Sequence, residues 1–236
     1  WQQQVDYEIE AMLNDEKHLL DAYLAMNYTN NSPDTLNFIY FHLWPNAFST
    51  TKTAFAKQKR QQGSLNFHFV KPSELGHIKK MAFSVEGKAA QLVQDKENPD
   101  IAKLLLNKPL LPGQTISLET PFQVKIPNSY SRLGHVGQSY QITQWFPKPA
   151  VYDHKGWHPM PYLDQGEFYS EFGSFDVKIT LPENYVVGAT GDLQTESEIE
   201  FLNELAEETA RIEEFPDDKA FPASADDFKT LHYVQN

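Results

Sequence analysis

The chain has 236 residues, 40% hydrophobic and 13% aromatic, enough apolar surface for one sizeable core or two small ones. A formal charge of −12 argues against a nucleic-acid partner, since most of the surface would repel a phosphate backbone. The lack of cysteine removes disulfides, thiol nucleophiles and Cys-ligated metals together. No stretch approaches the roughly 20 apolar residues that a membrane helix requires. The opening Trp1-Gln2-Gln3-Gln4 has neither methionine nor an apolar h-region, so any export signal is expected to be missing from what is shown.

In chain order, Val5, Tyr7 and Ile9 alternate with Asp6, Glu8 and Glu10, the two-residue period of a strand with one wet face. A turn at Asn14-Asp15-Glu16 leads into Ala22, Leu24, Met26 and Tyr28 in the same alternation, which predicts a hairpin. After a polar reversal over 30–34, Leu36 to Trp44 is apolar on both faces and reads as a central strand covered on both sides. The basic run Lys52 to Arg60 reads as a solvated loop or short helix without a ligand. The chain then loosens as far as Leu65 to Val70, and Ile78 to Val85 and Lys88 to Val93 form a hairpin about a tight turn at Glu86-Gly87. Pro109, Pro112 and Gly113 break the chain before Thr115 to Ile126, one strand kinked or bulged at Pro121. Strands return at Phe175 to Leu181 and Tyr185 to Ala189.

The pattern changes after Gly191. Thr195-Glu196-Ser197-Glu198 has the form of a capping box, and Ile199, Leu202, Leu205, Ala206, Thr209 and Ile212 then share one helical face, opposite a solvated acidic one. A Pro- and Asp-rich loop over 216–227 precedes a last strand, Phe228 to Val234. The expectation is a single, mainly β domain over residues 1–236, layered as a β-sandwich. Its core spans 4–191, an inserted amphipathic helix 195–214 and a return strand 228–234. Asn236, directly after a strand, reads as a cut within a longer protein.

Catalytic motifs are sparse. A zinc peptidase needs two histidines one helical turn apart with a glutamate to polarise the bound water, His-Glu-x-x-His, and none is present. His154 and His158 have the spacing, but Gly156 between them and Pro159 after them oppose a helix, so they read as loop histidines. There is no Gly-x-Ser-x-Gly elbow and no phosphate loop. Asp153, Asp164, Glu167 and Glu171 lie among aromatics and leave open a pair of glycosidase carboxylates. The whole stretch Gly134 to Gly173 is too irregular for repeated strands and too aromatic for a disordered linker, so it lines a site or an interface, or packs.

Within that stretch, Gln144-Trp145-Phe146-Pro147-Lys148-Pro149, Tyr152-Asp153, Gly156-Trp157 and Phe168 to Val177, with Leu181 to Gly191 and the opening segments Val5-Asp6-Tyr7, Tyr28 to Leu36 and Phe41 to Phe48, resemble the N-terminal domain of aminopeptidase N-like zinc metallopeptidases, closest to their exported bacterial branch. The resemblance covers most of the chain and is weaker from Thr50 to Asn128. It implies a saddle-like β domain that packs on its own C-terminal catalytic domain beyond Asn236. That domain would carry the zinc, so no cofactor is expected in this chain, and the protein would be exported. It also implies a share in the peptide-substrate cleft. The family's Gln-x-Glu/Gln-Pro segment falls on Gln144 to Pro147, which places Phe146 where the family binds the substrate's α-amine, so either Asp153 or Glu171 takes the amine or the specificity has changed. Gln144, Phe146, Tyr169 and Glu171 are therefore the expected substrate-binding residues, with no catalytic and no metal-binding residue. Two rival readings remain: a carbohydrate- or peptide-binding β-sandwich using the aromatics of 140–175, and a purely structural interaction domain.

Overall fold

Eleven residues of strict alternation at the N-terminus build the strand about which the rest of the chain is arranged. The structure, a computed structural model, describes residues 1–214 and 222–236. Its frame consists of β1 (Gln4–Asn14), β2 (Leu19–Thr29), β3 (Leu36–His42), helix α1 (Ala54–Gln61), β4 (Ile101–Leu110), β5 (Thr115–Lys125), β6 (Gly173–Pro182), helix α2 (Glu196–Ala210) and β7 (Phe228–Gln235).

The main sheet runs Asp192–Leu193, β7, β6, β1, β2, β5, Ser84–Val85, Lys88–Ala89, with His77–Lys79 also on β5. β1 and β2 form the expected hairpin, paired without a break from Gln4 opposite Thr29 to Asn14 opposite Leu19. Val5, Tyr7, Ile9, Ala11 and Leu13 all point into the core. Burying each of the larger aliphatic ones is worth roughly 1.5–3 kcal/mol, an upper range because unfolded chains already hide some surface. On its other edge β1 pairs with β6 in parallel, Val5 opposite Gly173 through Met12 opposite Thr180. Gly173 is required there, since a Cβ would overlap the Val5 carbonyl oxygen.

The second sheet runs Lys148–Pro149, β3, β4, Leu92–Gln94, so β3 is inner as expected. It is shorter than predicted, because after His42 the chain winds into a 3-10 turn over Trp44–Phe48 with Pro45 near its start. β4 is a strand that the sequence reading missed. Pro109 hid it, yet the register slips between Leu36 and Phe38, pairing Leu36 with Leu110 and Phe38 with Leu105, so Pro109 falls in the irregular part of the ladder. Pro121 introduces no slip in β5, whose pairing to β2 is continuous. Its other side is bonded only at 118–119 and 123–125, so the missing N–H goes unneeded. The tight turn at Glu86-Gly87 is present, both residues having positive φ as a type I′ hairpin requires.

One expected strand, Tyr185 to Ala189, is not formed, and the loosened segment before the hairpin closes on a second core. Leu65 to Val70 is a series of turns that drops Phe67 into a second core with Trp44, Phe48, Phe55 and Tyr162. Tyr185 to Ala189 alternates but pairs with nothing, because Asp192–Leu193 takes the free edge of β7 instead. Tyr185 spends its hydroxyl on Asp15 at 2.7 Å.

α2 lies where expected, but neither its cap nor its face is as predicted. Thr195 Oγ1 accepts from the His232 N–H at 3.0 Å rather than capping the helix. Glu198 is 4% exposed and takes both of its bonds from Lys229 Nζ, at 2.7 and 2.8 Å. Ile199, Leu205 and Ile212, expected inside, are exposed. The helix is thus anchored by an ion pair at its first turn. The expected loop over 216–227 begins among residues 215–221, which lie outside the described residues.

Candidate functional site

The stretch Gly134 to Gly173 is fastened to the frame by buried polar groups of β3, its following turn and the start of β4. His42, on the last position of β3, accepts the Met160 N–H at Nε2 (3.1 Å), and Trp44 Nε1–H donates to the Met160 carbonyl (3.1 Å). The two rings stack with centroids 4.3 Å apart, so the backbone of one residue is held by both its N–H and its carbonyl. Two residues on, Tyr162 N–H donates to Asp100 Oδ2 at 2.6 Å. The Tyr162 ring fills the second core, and its hydroxyl meets Ser131, which donates to Asp164, itself paired with Lys59 at 3.2 Å. Ala150 N–H joins the Tyr40 carbonyl at 2.8 Å.

Burial sets the charges of the fastening residues. His42 is pushed down to about 3 by burial and then by Lys148, so it is neutral. Asp100 is pushed up to about 6 by burial, against the Tyr162 N–H that favours its ionised form.

The four expected substrate-binding residues fall into two groups. Gln144 and Phe146 lie with Lys148. Gln144 has φ 53°, in the left-handed region, and its Oε1 accepts from Lys148 Nζ at 3.1 Å. Phe146 meets Tyr7 edge-on at 5.5 Å and Trp145 at 5.6 Å, so it closes the end of the main core as well as facing outward. Tyr169 and Glu171 lie instead with Asp153 and His158. Tyr169 is 43% exposed; its hydroxyl donates to Asp153 Oδ2 at 3.3 Å, and its ring lies edge-on to His158 at 5.2 Å. His158 Nε2 donates to Asp153 Oδ1 at 2.8 Å, which with the Lys155 N–H holds Asp153 down to about 2. Burial raises the Glu171 carboxyl; bonds from the Gln2 side chain and Gln3 backbone pull it back, and the charge of Asp153 raises it again. Tyr7 links the groups, touching Phe146 while its hydroxyl is raised by burial and by Glu171.

Other expectations fare unevenly. Of the aromatics in 140–175 only Tyr169 and Phe172 are exposed; Trp157 packs against Tyr152, Phe38 and Tyr40. No flat stacking platform for a sugar results. Depressions of about 250 and 440 Å³ lie on the outer face of the main sheet, lined by residues such as Glu10, Tyr23 and Lys178, away from all four expected residues. Among the described residues no three His, Asp or Glu side chains gather to hold a metal ion. The reading from sequence gave no separate role to Lys148, His42 or Asp100, although a lysine between Pro147 and Pro149 was a visible sign of a constrained charge.

No protein-family model and no curated protein matches the chain. Among solved structures it is similar over 100% of its length to a two-domain M1 zinc metallopeptidase variant bound to L-arginine (15% identity, TM-score 0.48) and to an M1 zinc metallopeptidase from Deinococcus radiodurans (16% identity, TM-score 0.49). A variant of an M1 zinc metallopeptidase from Deinococcus radiodurans bound to a Tyr-Ser-Ala substrate is 14% identical over 99% of the chain, with a TM-score of 0.49. The chain spans only 39%, 38% and 39% of the length of these three structures.

Proposed function

We propose that the chain is the N-terminal β domain of an exported aminopeptidase N-like zinc metallopeptidase, packed on a catalytic domain beyond Asn236 and lending the peptide cleft its amine-facing wall. The observation that carries this reading is the Tyr169 hydroxyl, which donates to Asp153 at 3.3 Å and also feels the charge of Glu171. Each carboxylate weighs on that hydroxyl, whose pKa is raised first by burial, and the charge of Asp153 disfavours that of Glu171. An ammonium group placed between them relieves the repulsion and gains charge-assisted hydrogen bonds. This supports transfer of the amine-binding role from the position of Phe146 to Glu171 and Asp153. Gln144 and Phe146 then line the same wall, with Phe146 in contact with Tyr7.

In this reading the zinc of the catalytic domain activates the water, and the present chain only binds and orients the peptide. The first test is the parent reading frame beyond Asn236: a His-Glu-x-x-His segment within the next domain length is expected, and a stop or an unrelated domain overturns the proposal. The chain alone is expected to hydrolyse no aminoacyl reporter and to retain no stoichiometric zinc. In the complete enzyme, Glu171→Gln should raise KM for substrates with a free α-amine by about tenfold at unchanged zinc content. An unchanged KM would remove Glu171 from the wall.

A further inference from the structure

One cation of the site has no carboxylate partner among the described residues. Lys148 stands between Pro147 and Pro149, both buried, and its backbone pairs with His42, so the stem of the side chain is fixed. Its Nζ reaches Gln144 Oε1 at 3.1 Å and lies 5.7 Å from the Trp44 ring centroid and 5.0 Å from that of Phe146. Among the described residues no carboxylate pairs with it, although the chain holds 32 acidic residues. The neighbouring His42 is neutral and brings no charge of either sign.

An ammonium has three N–H donors, and only one has an acceptor among the described residues. Ring faces and one amide oxygen offset part of the desolvation cost of a half-buried cation, and an anion would offset the rest. Burial without that anion holds the Lys148 amine down to about 8. Gln144 adopts its left-handed backbone at a cost of about 1 kcal/mol or more for a residue with a Cβ. That conformation accompanies the close approach of its amide to Nζ, four residues on and outside any helix.

We propose that Lys148 and Gln144 form a binding site for a carboxylate. Lys148 Nζ is the charged donor, the Gln144 amide nitrogen the second donor and the Phe146 ring a wall, while the buried Trp44 ring lies beneath the ammonium. A carboxylate accepts two roughly parallel N–H bonds, which matches an ammonium and an amide held side by side. An α-amine fits poorly at this position, since it would share the Gln144 oxygen with an ammonium already 3.1 Å away. The carboxylate belongs either to a bound peptide or to a small free acid. The proposal goes beyond the amine-facing wall and does not rest on it: a chain with no catalytic partner would still bind the anion.

The test is a titration of the chain, labelled with ¹⁵N at its lysine side chains, followed by NMR. Lys148 is identified as the resonance with a midpoint near pH 8 and confirmed by its loss in Lys148→Arg, so the titration does not depend on a variant folding. At matched ionic strength, acetate is expected to shift this resonance saturably and to raise its midpoint by about one pH unit, a tenfold change in proton affinity. Gln144→Leu should weaken acetate binding about fivefold or more, and alaninamide should leave the resonance in place. An N-acetylated tripeptide acid that binds about tenfold more tightly than both acetate and its own C-terminal amide assigns the carboxylate to a peptide. Equal affinities for acetate and the tripeptide acid assign it to a free acid. The absence of a saturable shift with any carboxylate, a shift indifferent to Gln144→Leu, or an equal response to alaninamide overturns the proposal.

Discussion

His42→Gln should change the pH dependence of stability more than stability itself. The His42 ring is 1% exposed and accepts the Met160 N–H, an acceptor role that a glutamine Oε1 can take over without titrating. In the folded chain His42 is held down to about 3, against 6.5 in the unfolded chain. Below pH 6.5 the unfolded state therefore binds a proton that the folded state refuses. This contribution is fully present above pH 6.5 and is lost as pH falls toward 3. Each full pH unit well inside that window costs about 1.4 kcal/mol, so between pH 6.5 and about 4.5 the wild type should lose about 2 kcal/mol relative to His42→Gln. Urea unfolding followed by tryptophan fluorescence at several pH values measures the difference, and every other titrating group cancels between the two proteins. A difference that stays level within about 0.5 kcal/mol across the window would show that the ring is not held neutral.

Asp100→Asn should move the other way. Asp100 holds its proton up to about 6 in the fold, so the wild type loses stability as pH rises from 3.8 to about 6, by roughly 3 kcal/mol. The stability difference should shift in favour of the variant by that increment, and a constant difference over the same range would refute the assignment. Lys229→Met leaves the Glu198 carboxylate buried without a counter-charge and should cost about 2–4 kcal/mol. Adding Glu198→Gln should restore part of the loss in thermal unfolding. Phe55→Ala empties the centre of the second core and should cost about 3–5 kcal/mol, with earlier cleavage inside 134–173 in limited proteolysis. Gly173→Ala should cost about 2 kcal/mol or more by forcing β6 away from β1; an unchanged melting temperature would mean that the strands part without penalty.

Where a local period decides the structure, the sequence was legible. The alternation of Val5, Tyr7 and Ile9, the reversal at Glu86-Gly87 and the last strand from Phe228 are all present. What failed depended on partners distant in sequence. Ile101–Leu110 is apolar without alternation and contains a proline, so only its ladder with β3 reveals a strand. Tyr185 to Ala189 alternates without a partner edge, and the apolar face of α2 exists in the sequence without a surface to cover it. At the site, the motif picked out Gln144 and Phe146, and the aromatic density picked out the segment. That Gln144 would turn its amide to Lys148 could not be read, because the contact needs a left-handed backbone at a residue that is not glycine. Both groups of site residues also bear on Tyr7, which came into the motif reading only with the opening strand.

The parallel pairing of β1 with β6 sets a waiting time during synthesis. The inner edge of β1 meets its partner only when Gly173 and the residues after it have left the ribosome. At about 5–20 residues per second, the first hairpin spends on the order of 10–30 seconds with one row of backbone donors and acceptors open. An open edge of that length invites pairing with another nascent chain. The wet face of the same strand carries Glu8 and Glu10, and like charges on two copies brought edge to edge would repel. The acidic alternation that first marked β1 as a strand thus also guards its edge until β6 arrives.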